Sequence, residues 1–330
     1  MYTFDMESPV TVPDTALAKI ELERAFTEAR RYAKKSRSDR TWRAYRSDWA
    51  IFEAWCQSVA LASLPAEPES VAMFVASQAS DGLSPSTLTR RLAAIRLVHL
   101  GAGHASPHNT IQVTEVMRGI RRDWGKPPAK KQPAIDEDIK KMVDAVEPET
   151  AKGLRDRALL LFGFAGAFRR SEIVALSTWN LEERDEGFKV TIEQSKTDQD
   201  GQGQVVAILR QPGSRYCPVQ ALKDWLTVAE IEQGALFRRM YRSDKVGSTR
   251  LSPQSVAMVI KDCAHKAGLD SSRYSGHSLR SGFLTSAARN RASIFKMADQ
   301  SRHRSLDVLR QYVKDEDLFE DNAGTGLLGN

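Results

Sequence analysis

The sequence predicts a mainly α chain in two parts, a helical first domain and an α+β second domain whose helices accompany a small antiparallel sheet. Three observations point there. Apolar residues recur at three- and four-residue steps along much of the chain, the spacing of one buried helical face. Strand signals appear at residues 188–192 and 205–209, with Asp200-Gly201 between them as a turn, which reads as a hairpin. A stretch with three prolines and three lysines, residues 125–133, breaks the helical pattern and reads as an extended basic linker.

Taken in order, residues 1–18 mix prolines and acids without periodicity and form a loose tail. The helical domain spans 19–124. In it Trp42, Tyr45, Trp49, Phe52 and Cys56 mark one apolar helix face, with Arg40, Arg43 and Arg46 on the same helix. Pro65 and Pro68 punctuate the entry to a helix over 69–79, and Asp81-Gly82 makes the next turn. Ser84-Pro85-Ser86-Thr87 opens a helix carrying Leu88, Leu92, Ile95 and Val98 on one side. After the linker the second domain covers 134–330, starting a helix at Asp136-Glu137-Asp138. The apolar run 158–168 reads as a buried helix, and the pattern is helical again beyond Ser252.

A length of 330 residues fits two ordinary domains, and 41% hydrophobic with 27% charged residues describes a globular, water-soluble chain. The net charge is +6, but residues 20–135 hold 18 Lys and Arg against 11 Asp and Glu, so the positive excess is concentrated there. A local excess of this kind is the footprint of a polyanion partner. The longest apolar run is too short for a bilayer core of about 30 Å. The first residues lack the basic and apolar regions of a signal peptide. Cys56, Cys217 and Cys263 are odd in number and far apart, which argues against a disulfide framework or zinc site and for a reducing, cytoplasmic setting.

The chemistry-bearing residues fall in the second domain. Arg169 and Glu172 follow the apolar run, and Lys196 sits in the hairpin. His277-Ser278-Leu279-Arg280 lies 35 residues ahead of Tyr312, and His303 nine ahead. Each alone has a bland counterpart: a salt-bridged arginine, an intrahelical ion pair, a solvated lysine, a surface histidine, a core tyrosine between Leu309 and Val313. Together they supply two guanidinium forks matched to a phosphate, imidazoles that exchange protons near neutrality, an amine, and a phenol oxygen as nucleophile. The set calls for no cofactor and no metal.

In that order and spacing, Arg-x-x-Glu, a strand lysine, His-x-x-Arg, a histidine and then a tyrosine nine residues on, the chain resembles the tyrosine recombinase (phage integrase) family. The resemblance implies that Arg169, Lys196, His277, Arg280 and His303 activate a phosphate, that Glu172 supports them, and that Tyr312 attacks. It also implies a helical DNA-binding domain and a catalytic domain closing around double-stranded DNA. A synaptic homotetramer on inverted-repeat sites would then exchange strands, each protomer docking its C-terminal segment, residues 317–328, on a neighbour. Arg43, Arg46, Thr89, Arg90 and Arg91 in the first domain, with Arg250 and Gln254 in the second, are the candidate DNA contacts. The short stretch ahead of the first helix leads us to expect a simple, short-site enzyme for integration, excision or resolution. Two rivals share most of these features, a type IB topoisomerase-like relaxing enzyme and a DNA-binding protein without catalysis. The chain departs from the family at Ser301-Arg302, where Leu-Gly is usual before the histidine.

Overall fold

A computed structural model describes residues 16–125, 131–193 and 203–316. The chain divides into two compact units, Met1–Pro128 and Ala129–Asn330.

The first unit is all-helical among its described residues: α1 (Ala16–Lys35), α2 (Asp39–Ser58), α3 (Pro68–Ser80), α4 (Pro85–Gly101) and α5 (Ile111–Trp124). Local chemistry sets where these helices begin. Ser38 caps α2 by accepting from the Thr41 N–H, and Ser84 caps α4 from the Thr87 N–H with Pro85 in its first turn. The Trp42 indole donates to the Lys34 carbonyl at 2.8 Å, tying the end of α1 to α2. Phe52, Phe74, Leu88 and Ile95 are fully buried, with the Phe52 and Phe74 rings edge-on at 5.0 Å. Buried His99 accepts from the Ala66 N–H through Nε2, so its Nδ1–H donates to the Ile95 carbonyl. Burial pushes its pKa down and keeps it neutral.

The second unit is built round α7 (Ala151–Ala165), which packs on α6 (Asp136–Asp144), α8 (Arg170–Ala175), α9 (Pro218–Val228), α10 (Pro253–Lys266) and α11 (Ser278–Arg289). Its last helices are α12 (Ile294–Ser301) and α13 (Leu306–Glu316). Thr150 and the Asp244 carboxylate satisfy the first amides of α7, the latter accepting from Ala151 and Lys152 at 2.8 Å. A three-stranded antiparallel sheet of β1 (Leu181–Arg184), β2 (Gly187–Ile192) and β3 (Gln204–Leu209) stands beside it, ordered β1-β2-β3. Alternation buries Phe188, Val190, Ile192, Val206 and Ile208 on one face. The anticipated hairpin pair is β2 and β3, whereas β1 and the two-stranded ribbon of β4 (Arg238–Met240) and β5 (Val246–Arg250) carry few apolar side chains and gave no strand signal.

Two glycines let elements close on one another. A Cβ on Gly163 of α7 would stand 2.8 Å from the Leu279 side chain. One on Gly282 of α11 would stand 1.7 Å from the Ala134 carbonyl, so α11 lies against the backbone entering α6. The Ala134 N–H donates to the Ser278 carbonyl at 2.9 Å, which fixes the start of α11. No helix of the described residues is long and apolar enough to cross a membrane.

Candidate active site

The turn from α7 to α8 is the floor of the site. Gly166, Ala167 and Phe168 are buried, and Ala167 adopts a left-handed conformation at φ 45°. That turn aims the Gly166 and Ala167 carbonyls inward. Arg169 follows as the N-cap of α8, and the Glu172 carboxylate reaches back to accept from the Arg169 N–H at 2.8 Å and from its guanidinium at 2.6 Å. Glu172 is 2% exposed. Burial alone would raise its pKa, but Arg302 first and Arg169 with it overcome that and hold the carboxyl below its ordinary value.

The N-terminal turn of α11 brings His277 and Arg280. Arg280 is fully buried, unusual for an arginine, and its Nη1 donates to the Ala167 carbonyl at 2.8 Å. Burial, then the charges of Arg169 and Arg302, push its pKa down, while Glu172 and Tyr312 pull the other way. The phenol of Tyr312 is therefore close enough to act on this guanidinium. His277 caps α11 at the rim, open to solvent on one side. Desolvation on the other, with Arg280 and Arg169, sets its pKa below 6.5.

His303 comes from the turn after α12. Arg280 Nη2 lies 3.3 Å from both of its ring nitrogens, so the guanidinium flanks the ring rather than aiming at one atom. Ser301 settles the tautomer: its single hydroxyl proton goes to the Met297 carbonyl at 2.6 Å, so at 2.7 Å it accepts from His303 Nδ1–H. Nε2 then carries the lone pair. Burial and the surrounding cations, Arg280 foremost, push the His303 pKa down to about 4. Tyr312 lies half-buried on α13, packed with a small cluster that includes Leu284, Met297 and Leu309.

Arg169, Glu172, His277, Arg280, His303 and Tyr312 are thus gathered from three helices, α8, α11 and α13, and the turns that lead into them. Lys196, with Ser195 and Thr197, lies outside the described residues, as does the segment 317–328. The hairpin strands end at Ile192 and Gln204, and Gln204 lines an open crevice of about 430 Å³ shared with Asp299, Arg302, His303 and Arg304.

The DNA-contact expectations fare unevenly. Arg43, Arg46, Thr89 and Gln254 are exposed. Arg90 is half-exposed but makes a two-pronged ion pair with buried Asp48, at 2.7 and 3.0 Å. Arg91 is a correction: it is 8% exposed, turned toward Asp48 and the Phe74 ring, and presents no guanidinium to an outside partner. Arg250 is a second. Its guanidinium donates to the Val174 and Leu176 carbonyls and to the Ser177 hydroxyl, closing the C-terminal end of α8.

One site member went unread in the sequence. Arg302 is 5% exposed, holds a left-handed conformation at φ 59° where α12 ends, and donates to Glu172 Oε2 at 2.8 Å. Its signal was present as the departure from Leu-Gly before the histidine, since a left-handed helix end favours glycine.

Helices with two small antiparallel sheets, and a cationic pocket beside a tyrosine, define the class, and the comparisons specify it. Residues 135–318 match the phage integrase family, and 31–104 match the phage integrase N-terminal SAM-like domain. An integrase/recombinase xerD homolog of Selenomonas ruminantium is 38% identical over 304 residues, 91% of this chain and 89% of that protein. Recombinase cre of Escherichia phage P1 is 24% identical over 299 residues, 85% of each. A lambda integrase dimer bound to a COC′ core site shares the fold, with a TM-score of 0.58 at 15% identity over 89% of this chain and 94% of that one. XerH site-specific recombinase bound to palindromic difH substrate shares it at 0.56 and 16%, over 79% and 71%. The chain belongs to the phage integrase family. It is a site-specific tyrosine recombinase, an enzyme of DNA recombination.

Proposed function

We propose that this enzyme cuts and rejoins double-stranded DNA through a 3′-phosphotyrosine on Tyr312, in a synaptic homotetramer assembled on inverted-repeat sites in the cytoplasm, on the nucleoid. Tyr312 Oη attacks the scissile phosphorus, the P–O5′ bond breaks, and a free 5′-hydroxyl leaves. The attack of a second strand's 5′-hydroxyl reverses the step. Bond energy is kept in the covalent link, so rejoining takes place without ATP.

What supports this reading is a cluster of cationic groups held on shared partners: Arg280 lies against His303 and shares the Ala167 carbonyl with Arg302, Glu172 takes both Arg169 and Arg302, and Tyr312 favours the charged form of Arg280. Arg169 and Arg280 would clamp the non-bridging oxygens, where charge grows in the transition state. His277 is neutral at pH 7 because its pKa is depressed, which suits it to accept the phenol proton. His303 would take up a proton at Nε2 as the phosphate's negative charge raises its pKa, then donate it as a hydrogen bond. Lys196 would protonate the leaving 5′ oxygen. Exposed Arg43, Arg46, Thr89 and Gln254 would contact the duplex.

The test begins with duplexes selected by binding from a random-sequence pool, since the target is set by geometry. A nicked suicide version of the selected site, denatured after reaction, should yield a covalent protein–DNA adduct that Tyr312→Phe lacks. With two sites on one plasmid, recombinant products are expected. Relaxed circles alone would favour the topoisomerase-like rival, and binding without adducts a DNA-binding protein without catalysis.

A further inference from the structure

Arg302 is the third guanidinium of the site, and no chemical step above is assigned to it. Both of its Nη groups are doubly hydrogen-bonded, while its buried Nε has no partner among the described residues. Nη1 donates to the Gly166 carbonyl at 2.9 Å and to the Gln300 carbonyl at 2.7 Å, while Nη2 donates to the Ala167 carbonyl at 3.0 Å and to Glu172 Oε2 at 2.8 Å. The planar face lies over the Phe168 ring, 5.1 Å from its centre. Four acceptors from three separate stretches therefore meet one rigid fork, a geometry an ammonium cannot reproduce.

Those acceptors are the ones that hold the other two arginines. Glu172 Oε1 takes the Arg169 guanidinium at 2.6 Å, and the Ala167 carbonyl takes Arg280 Nη1 at 2.8 Å. The residue next in sequence is His303. A non-glycine residue at φ 59° carries a backbone cost that glycine would avoid, and here an arginine holds it.

We propose that Arg302 is a positioning residue for catalysis, which fixes Arg169 through Glu172 and Arg280 through the Ala167 carbonyl. It does not touch the phosphate: both Nη groups are committed inside the protein, and its Nε, without a partner among the described residues, is buried. Its presence where the family has glycine makes this enzyme's phosphate clamp dependent on a buried Arg-Glu-Arg triad. This rests on the recombinase reading above.

The experiment uses the full chain and the selected duplex. Wild type must form the adduct and Tyr312→Phe must not, and failure at this step counts against the recombinase reading rather than against Arg302. Arg302→Gln should bind the site within about threefold of wild type, yet cleave a suicide substrate about 100-fold more slowly in a single turnover. Arg302→Lys, which keeps the charge and loses the fork, should fold and still be down about tenfold. Route is tested by a double-mutant cycle with Glu172→Gln. If Arg302 acts through Glu172, the double variant is not much slower than the worse single, whereas independent roles multiply the two losses. Wild-type cleavage by folded Arg302→Gln or by Arg302→Lys overturns the proposal. So do multiplying losses in the cycle, and so does a rate deficit that vanishes once the folded fraction is corrected for by thermal unfolding.

Discussion

Arg280 and Arg302 donate to the same oxygen, the Ala167 carbonyl, at 2.8 and 3.0 Å. Two like charges are thereby held close in a place water hardly reaches, with Arg169 adding a third and Glu172 supplying the one buried counter-charge among these groups. Such a pocket carries surplus positive charge before any ligand arrives, and a phosphodiester entering it relieves the repulsion. Preorganised charge costs no rearrangement at the moment of reaction, which is why it ranks high among catalytic effects.

The sharpest consequence concerns Arg280 itself. Arg280→Lys retains a charge but cannot hold the Ala167 carbonyl and a phosphate oxygen with one planar group. Single-turnover cleavage should fall by roughly 10²–10³, or about 3–4 kcal/mol of transition-state stabilisation. Affinity for the site should change little, because many phosphate contacts along the duplex share it. A lysine variant cleaving within about threefold of wild type would remove Arg280 from the chemistry.

Tyr312 is half-buried against an apolar cluster, so its replacement has to separate packing from chemistry. Tyr312→Phe keeps the ring and deletes only Oη. Stability should shift by no more than about 1 kcal/mol, the worth of a typical hydrogen bond. Binding should persist and covalent adducts should disappear. Adducts that survive in this variant would move the nucleophile elsewhere.

The helices and the main hairpin were legible because each repeats a local rule: apolar steps of three and four in α2 and α4, serine caps at Ser38 and Ser84, alternation in β2 and β3. The gathering of Arg169, Arg280 and His303 was legible only through their order along the chain. Arg91 was not, because side by side with Arg90 it looks like a second surface arginine. The helix instead turns it inward to Asp48, a residue 43 positions away whose burial no local pattern reveals. Arg302 was visible as an exception to a motif, but the four acceptors that explain it come from stretches up to 136 residues distant.

The two kinds of arginine in the first unit should respond differently to mutation. Arg91 Nε and Nη1 are buried without hydrogen-bond partners among the described residues, while Asp48 keeps Arg90 as its close partner. Arg91→Met should therefore leave unfolding free energy within about 1 kcal/mol of wild type or raise it, since apolar replacement of a poorly satisfied buried charge is often neutral or better. Its DNA affinity should be unchanged. Arg43→Ala and Arg46→Ala should fold normally, weaken binding to all sequences alike, and each lower the salt-dependence slope by about 1 if they contact phosphates. Urea melts and binding titrations over a range of salt concentrations check both.

The depressed histidines set the direction of the pH response. His303 titrates near 4 in the folded enzyme, against an unfolded value near 6.5, because burial and the charges of Arg280, Arg169, His277 and Arg302 oppose its protonation. Between those values the unfolded chain binds the extra proton, so stability is intact above about pH 6.5 and drains away as pH falls toward 4. From pH 7.5 to 5 this one group should cost about 2 kcal/mol. His277, His99 and His108 are depressed as well and act in the same direction. His303→Gln should therefore lose less stability than wild type over that interval, by urea unfolding at the two pH values, and equal losses would mean that the ring does not titrate as its surroundings require. An anion in the pocket reverses the sign at His303: a saturating phosphate analogue such as vanadate should raise its pKa, read from the ring Cε1–H resonance, and that rise should shrink in Arg280→Lys.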